Sequence, residues 1–203
     1  MAKNSILDRY TKRARSANLD RFTRDSRKWY IDKVSNIQKA DHSALVRDPN
    51  TKKRDTPMIG RMYTFKYDPK WKDKLPYYDI FPVIFLADIA KQPKGSFYGL
   101  NIHYLSPFTR AVFVQRLIDN YITDDLSSLK ATTRLKISYG VLKSAAKVRA
   151  FRPTFKQYLP SHMRTKLVEI PPDQWETAVY LPVQSFKKDT KTAVWTDSEE
   201  MII

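Results

Sequence analysis

Three apolar segments in the middle of the chain carry the hydrophobic pattern of β-strands. In residues 61–67, large aromatic side chains alternate with smaller or polar ones, which is the period of a strand with one buried face. Residues 81–86 form a short continuous apolar run, which predicts a strand near 82–88, and a third predicted strand at 97–105 follows it after a turn. Parallel strands need crossover connections of about a dozen residues or more, so these closely spaced segments predict a single antiparallel meander.

Helical periodicity lies on both sides of the predicted strands. Ser5 can cap a first helix, and a second is predicted over residues 24–38, where apolar side chains recur at helical spacing. The Ser-Pro pair at 106–107 suits an N-cap and a first helical position, and it begins a predicted, mostly buried helix over 107–121. A further helix is predicted over 131–149.

The chain divides into three parts by composition. Residues 1–57 are basic and end in a segment rich in Pro, Asn and Asp, which predicts a helical arm followed by a linker. Residues 58–183 hold the strands, including a short one at 166–170, and predict the core domain. Residues 184–203 predict an acidic tail, irregular or paired as two strands, that packs on the core through Trp195.

These elements together predict an α+β fold. A small antiparallel sheet of the SH3-like type, curled at Gly60 and Gly99, would pack with several α-helices. The basic helical N-terminal arm would make few contacts with this body. Trp29 and Val34 would therefore dock on a partner or on a neighbouring copy of the chain.

The charge of the chain narrows its range of partners. Among 203 residues, 37 Lys and Arg against 21 Asp and Glu give a net charge of +16. Residues 1–57 carry 15 basic and 7 acidic side chains, residues 111–166 carry 11 and 3, and residues 167–203 reverse to 3 and 7. The two basic blocks attract either the phosphates of a nucleic acid, by displacing condensed counterions, or an acidic protein neighbour. The charge alone leaves both alternatives open.

Both basic blocks offer candidate contacts to phosphates. These are lysines and arginines on or next to the predicted helices, although a solvated charged face is the alternative for each of them. The candidates are Lys12, Arg13, Arg15, Arg21, Arg24, Arg27, Lys28, Lys143, Lys147, Arg149, Arg152 and Lys156.

Composition also excludes several kinds of site. With no Cys the chain has no thiolate metal ligands, and with 4 Gly it cannot build a glycine-rich phosphate loop. The histidines lack metal-ligand spacing, and the acidic residues do not cluster as metal-dependent phosphodiester hydrolysis requires. His103 lies in a predicted strand, where its role stays open. We therefore expect no enzyme activity, metal, cofactor or small-molecule substrate. No run approaches the roughly 18 apolar residues of a membrane span, so no membrane contact is expected.

The segment LPYYDIFPV, residues 75–83, is the strongest local signal in the sequence. Prolines on both sides of the tyrosine pair predict a stiff, extended segment that holds both phenols in place. Tyr77 and Tyr78 can then stack on bases or grip a partner. The alternative is that they cover the small sheet, as aromatic side chains often do.

Longer motifs around these residues resemble a family of tailed-phage proteins. They are MIGRMYTFKYDPKWKDKLPYYDIFPVIFL at 58–86 and GSFYGLNIHYLSP at 95–107 with Arg110, then TRLKISYGVLKSAAK, FRPTFKQYL and PPDQWETAVYLPVQSF. The similarity covers about residues 25–203, and the family is that of the DNA end protector, or head-completion protein, of T-even-like myoviruses. The resemblance implies a virion protein, made in the host cytoplasm, that shields the ends of packaged DNA from host exonuclease. It brings no catalytic residues.

Two functional hypotheses follow from the charge and the resemblance. In the first, the chain is a non-enzymatic structural protein that binds phage DNA ends at the portal region and contacts portal, neck or tail subunits. In the second, it is an assembly component of the neck, tail or baseplate whose basic surface binds other virion proteins. Salt-dependent DNA binding separates the two hypotheses.

Overall fold

The described part of the chain is built around a six-stranded antiparallel sheet. In the computed structural model it comprises residues 5–20, 23–35, 42–122, 153–180 and 184–200. The strands run in the spatial order β1-β7-β2-β4-β5-β6, and a separate pair is formed by β3 and β8. Their bounds are β1 Lys52–Arg54, β2 Met62–Thr64, β3 Tyr78–Asp79, β4 Val83–Ile89, β5 Phe97–Asn101, β6 Phe155–Tyr158, β7 Leu167–Ile170 and β8 Phe186–Lys187.

The helices of the described residues lie before, between and after these strands along the chain. Six α-helices are described: α1 Ile6–Ser16, α2 Arg24–Ser35, α3 His42–Arg47, α4 Pro107–Ile122, α5 Trp175–Tyr180 and α6 Lys191–Glu200. Among the described residues, 3-10 helical turns lie at Ile102–Tyr104, Pro160–His162 and Pro172–Gln174. No helix in these described ranges combines the length and the apolar character needed to cross a bilayer.

The predicted meander is confirmed by the pairing of β2, β4 and β5. Met62 lies opposite Phe85, and Phe85 lies opposite Leu100, in two antiparallel ladders. The third predicted strand ends early, because the Asn101 side chain accepts a hydrogen bond from the amide of His103 at 3.0 Å and begins a 3-10 turn. The helix predicted over 107–121 and the strand at 166–170 are also present, whereas the helix predicted over 131–149 lies outside the described residues.

Both faces of β2 are buried, so the prediction of a half-buried strand at 61–67 is wrong. On one face, Met62 and Phe85 pack with the helices, including Trp175 of α5. On the other face, a cluster of mostly aromatic side chains packs together without these helices. This second cluster contains Tyr63, Phe65, Tyr67, Ile84, Leu86, Phe97, Tyr158 and Leu167.

The SH3-like barrel is not confirmed, because the meander is the middle of a wider sheet. Strands β7 and β1 extend it on one side, and β6 extends it on the other. Gly99 does mark a close approach, as expected from a glycine in a strand: a Cβ there would lie 2.7 Å from Cδ1 of Ile84.

The basic N-terminal arm is not confirmed either, because its helices supply side chains to the core. Helix α1 begins with a capping box formed by Ser5 and Asp8, and it buries Leu7 and Ala14. Its Thr11 hydroxyl bonds the hydroxyl of Thr177 in α5 at 2.7 Å. The predicted linker contains α3 and the edge strand β1.

Helix α2 docks beside α1 and corrects the expectation for Trp29. The half-buried Trp29 ring packs on the core with Tyr30, rather than docking on a partner or on a neighbouring copy of the chain. Tyr30 in turn stacks on Tyr180 with ring centroids 5.1 Å apart. Val34 lies in the last turn of α2.

The C-terminal segment folds as a strand followed by a helix. Strand β8 pairs with β3, and α6 replaces the predicted irregular or two-stranded tail. Val194 is its fully buried anchor, while the half-buried Trp195 donates from its indole nitrogen to the carbonyl of His103 at 2.9 Å. The domain boundaries at residues 57 and 183 stay a prediction.

Candidate nucleic-acid interface

An aromatic pocket opens beside the second, mostly aromatic face of the sheet. It has a volume of about 250 Å³ and lies between the loop after β2, strand β3 and the edge strand β6. Its lining residues are Tyr67, Pro69, Lys70, Trp71, Leu75, Tyr77, Tyr78, Asp79, Asn101, Tyr104, Lys156, Gln157, Tyr158 and Leu159. A space of this size is below the roughly 300–1,000 Å³ of drug-sized ligand pockets and suits one small planar group.

Buried tyrosines form the inner wall of the pocket. Tyr77 and Tyr104 are tilted against each other with centroids 5.8 Å apart, and Tyr67 and Tyr158 meet edge to face at 5.0 Å. Burial raises the pKa of all four phenols above the ordinary value. These four side chains are therefore neutral at physiological pH and form an aromatic surface on which a planar ring can stack.

Lys156 is the cation within this aromatic wall. On β6, Phe155 packs toward the helix-covered cluster and Tyr158 toward the other, so strand alternation places Lys156 on the pocket face. Its ammonium lies 4.5 Å from the ring centroid of Tyr104. Burial lowers the pKa of Lys156, and no carboxylate of the described residues is paired with it. The pocket thus combines π-faces with a poorly hydrated positive charge.

Trp71 stands on the rim as an exposed aromatic surface between two lysines. Its side chain is 56% exposed, which is unusual for so large an apolar group. The ammonium groups of Lys70 and Lys74 lie 5.0 and 5.2 Å from its ring centroid. An exposed aromatic ring between cations is the arrangement that nucleic-acid-binding proteins use to stack a base next to its phosphates.

Polar contacts fix the loop of residues 68–75, which we call the rim loop, to the rest of the protein. The Asp68 carboxylate accepts from Arg164 at 2.7 Å and from Lys72 at 3.2 Å. The Lys188 ammonium donates to the carbonyls of Asp73 and Leu75 at 3.0 and 2.9 Å. The loop that carries Trp71 is therefore held in place by strands and turns distant in sequence.

A buried charge network supports the pocket from behind. Nδ1 of His103 lies 2.6 Å from the Asp79 carboxylate, and neither side chain is exposed. Asp79 also accepts from the amides of Phe81 and Ser185 at 3.0 and 3.2 Å and from Asn101 at 3.3 Å. With a neutral imidazole donating from Nδ1, the carboxylate links β3, β5 and the segment before β8. The sequence left the role of His103 open, and the structure gives it a structural role: it positions Asp79.

Arg110 completes the network with a second buried charge. The guanidinium of this 1%-exposed residue donates to the carbonyls of Val179, His103 and Leu105 at 3.2, 3.3 and 3.1 Å. Burial lowers the pKa of Arg110 to about 10, so it stays charged at neutral pH. Its attraction to the Asp79 charge opposes that shift.

The His103–Asp79 pair makes a testable prediction for the pH dependence of stability. Burial lowers the pKa of His103, repulsion from Arg110 and Lys191 adds to this, and Asp79 opposes it. Below about pH 6.5 an unfolded chain takes up a proton on this imidazole and the native state does not. The unfolding free energy should therefore fall as the pH drops from about 6.5 to 5, by up to ~1.4 kcal/mol per pH unit. Urea unfolding at each pH measures it.

Two variants test this assignment. His103→Gln should flatten the stability profile between pH 6.5 and 5, whereas the matched control His162→Gln, in a half-buried surface turn, should keep it. The contribution of Asp79 to the unfolding free energy is lost at a lower pH than that of His103. Burial alone would raise its pKa, but His103 and the amides of Phe81 and Ser185 hold the pKa below the usual value, so this contribution is lost only below about pH 4. An unchanged profile in His103→Gln would contradict the assignment.

The predicted phosphate contacts are distributed over two faces of the protein. Lys12, Arg13 and Arg15 are exposed on α1, and Arg15 pairs with Asp173 at 3.1 Å. Arg24, Arg27 and Lys28 belong to α2. Both helices lie on the helix-covered face, so they do not converge with Lys156 at the pocket. Those that lie outside the described residues are Arg21, Lys143, Lys147, Arg149 and Arg152.

The predicted stacking residues, Tyr77 and Tyr78, lie together at the pocket, but they are more buried than residues of an open stacking surface would be. Tyr77 is 9% exposed and packs with Tyr104 and Phe186, while Tyr78 is half-buried, and both line the pocket. Sequence reasoning did not single out Trp71. The interleaving of this tryptophan with lysines in KWKDK was the signal that pointed to it.

Within the described ranges, no group of three or more His, Asp or Glu side chains is arranged to hold a metal ion. The candidate interface is therefore assigned from its aromatic rings and lysines.

Comparison with known proteins adds one match. The family model described as phage T4 terminal DNA protecting protein matches residues 4–198. Neither the comparison with curated proteins nor that with solved structures gave a match. The matched range includes both the pocket and helix α1.

Proposed function

The chain belongs to the family of the phage T4 terminal DNA protecting protein, and on this premise we propose that it is a non-enzymatic virion protein that covers the ends of packaged phage DNA. The family match over residues 4–198 is the observation that carries the proposal. Occupying the end would exclude an exonuclease, since such an enzyme needs a free terminus. The protein would act at the portal region, in contact with portal, neck or tail subunits.

The charge of the chain supports DNA as the partner. A net charge of +16 supplies sequence-independent attraction to phosphates, which a protector of a genome end needs more than base readout. On the described surface, Lys12 and Arg13 of α1 and Lys70 and Lys74 of the rim loop are exposed. Contacts of this kind position a duplex without selecting its sequence.

The placement of the chemically versatile side chains supports a binding role. His103, Asp79 and Arg110 are buried and hold one another or backbone groups, so they stabilise the fold behind the pocket. The exposed groups at the pocket are the indole of Trp71, the ammonium of Lys70 and the amide of Gln157. These bind nucleic acid, whereas general acid–base work needs a titrating group within reach of the substrate.

The test compares a linear duplex with a covalently closed circle of the same sequence. The full-length protein should bind the linear form at least about tenfold more tightly, equivalent to ~1.4 kcal/mol, because the ends are the only difference between the two. Bound protein should also slow digestion of the linear form by a purified exonuclease. Band-shift titrations and digestion time courses measure the two effects.

Two results would contradict the proposal. Equal affinity for circle and linear duplex would show general DNA binding without end recognition. Failure to bind either form at low salt, with continued incorporation into virions, would favour the assembly hypothesis, in which the basic surface meets acidic virion proteins.

A further inference from the structure

The aromatic pocket has features that the general charge of the protein does not explain. Six of its lining residues are buried polar or aromatic groups held by contacts distant in sequence: Tyr67, Tyr77, Asp79, Asn101, Tyr104 and Tyr158. The outer part is formed by Lys70, Trp71 and Gln157, which are exposed. The aromatic rings and the nearby ammonium groups of Lys156 and Lys70 offer a stacking surface and cations, which match the two halves of a nucleotide, the base and the phosphate.

We propose that this pocket takes one unpaired nucleotide at the terminus of the DNA, with the base against the tyrosines or Trp71 and its phosphate beside Lys156. This inference rests on the proposed function. The half-buried ammonium of Lys156 has Tyr104 as its aromatic neighbour at 4.5 Å, so a phosphate would give it an anionic partner. The negative charge of Asp79 among the buried lining residues directs the phosphate away from the interior and toward the lysines.

The physics of a DNA end explains why such a pocket would recognise ends in general. Extracting a base from within a duplex costs a few kcal/mol of pairing and stacking, and the cost is least for a base that is already unpaired. A terminal nucleotide has a stacking neighbour on one side only. Every base has a π-face, so stacking on tyrosine or tryptophan does not depend on sequence. A one-nucleotide pocket thus distinguishes an end from the interior without reading the genome.

The volume of the pocket agrees with a single nucleotide rather than a longer strand. At about 250 Å³ it is too small for several stacked bases. The loop with Trp71 is held by Lys188, which donates to the Asp73 carbonyl, and by Arg164, which donates to Asp68, so the rim is in place before DNA arrives. Binding then loses less freedom than ordering a mobile loop would.

The experiment places a photoreactive base at defined positions in the DNA. Full-length protein is irradiated with a duplex that carries 5-iodouracil in the terminal nucleotide of a short 3′ or 5′ overhang, or ten base pairs from the end. Crosslinks are mapped by mass spectrometry. We expect the terminal probe to crosslink within residues 67–78, 104 or 156–158, and the internal probe to leave these residues unmodified.

Matched variants measure the contribution of the pocket to affinity. Trp71→Ala and Lys156→Met should each weaken binding to overhang ends by about 5- to 10-fold, and the loss of affinity for a closed circle, which has no terminus, should be smaller. Phe108→Ala removes an aromatic side chain that is 67% exposed on α4, and Lys53→Met removes an exposed charge on the opposite edge strand β1. Both controls should bind ends like the unaltered protein, and circular dichroism checks that every variant is folded.

The outcomes separate the pocket from the proposed function. If the protein prefers ends but the crosslinks fall elsewhere, and Trp71→Ala and Lys156→Met bind normally, the pocket proposal is overturned while end protection stands. If the protein shows no preference for ends, both are overturned. A free nucleoside monophosphate shares the same chemistry: if it displaces DNA ends at concentrations comparable to those of the DNA, the pocket belongs to a free nucleotide and the proposal fails.

Discussion

Replacing Asp79 by alanine is expected to lower the free energy of unfolding by about 3–5 kcal/mol, a large part of the ~5–15 kcal/mol that stabilises a typical domain. The carboxylate accepts hydrogen bonds from His103, Asn101 and the amides of Phe81 and Ser185, and alanine would leave these buried donors without it. The substitution also removes the negative charge that attracts the buried guanidinium of Arg110. Urea unfolding followed by circular dichroism measures the loss.

The control for this change is Asp73→Ala. Asp73 is exposed in the rim loop, where only its carbonyl accepts from Lys188, so the substitution should cost less than about 0.5 kcal/mol. Asp79→Asn keeps an acceptor oxygen and should fall between the two variants. If Asp79→Ala were as stable as Asp73→Ala, the network would not support the pocket as described.

The central strands could be predicted because their signals are local. Strands β2, β4 and β5 all lie within residues 62–101, so an apolar pattern and turn residues suffice to predict the meander. Burial of the second face could not be predicted in this way. It depends on β6 and β7, which pair with β5 and β2 across about 60 and about 105 positions of sequence.

The N-terminal helices were misjudged because they contain few large apolar residues. The positions of those residues matter more than their number: Leu7 and Ala14 lie on one face of α1, and Tyr30 fits between Trp29 and Tyr180. A basic outer surface and a buried inner face are compatible on one helix. Counts of charged residues along the sequence therefore predict that a helix has a charged outer surface, but not whether its other face packs on the core.

The candidate pocket was only partly predictable for a related reason. The tyrosine pair at residues 77 and 78 is visible in the sequence because two prolines frame it. Tyr67, Tyr104 and Lys156 are brought to it by pairing of distant strands, and no local pattern marks them as neighbours. Lys156 was singled out for its charge alone, and the structure adds the aromatic surroundings that distinguish it from the other basic candidates.

The affinity for DNA should fall steeply as salt is added, and this is the largest effect that we expect. If the protein neutralises six or more phosphates, its affinity should drop by about 10³-fold or more between 50 and 200 mM monovalent salt, with little dependence on sequence. The physical reason is that each contact releases a condensed counterion and contributes about −0.9 to the slope of log affinity against log salt. Fluorescence anisotropy titrations at four or more salt concentrations give the slope.

A triple substitution shows whether the central basic block carries part of this slope. Neutralising Lys143, Lys147 and Arg149 together should make the slope shallower by about 2 to 3 units if all three side chains touch phosphates. The control removes the same charge at Lys53, Lys91 and Lys94, which are exposed on β1 and on the turn between β4 and β5. Because these control residues are not among the proposed phosphate contacts, the slope should change by less than about one unit. Equal slopes in both triple variants would remove the central block from the DNA-binding surface and leave α1 and the rim loop as its candidates.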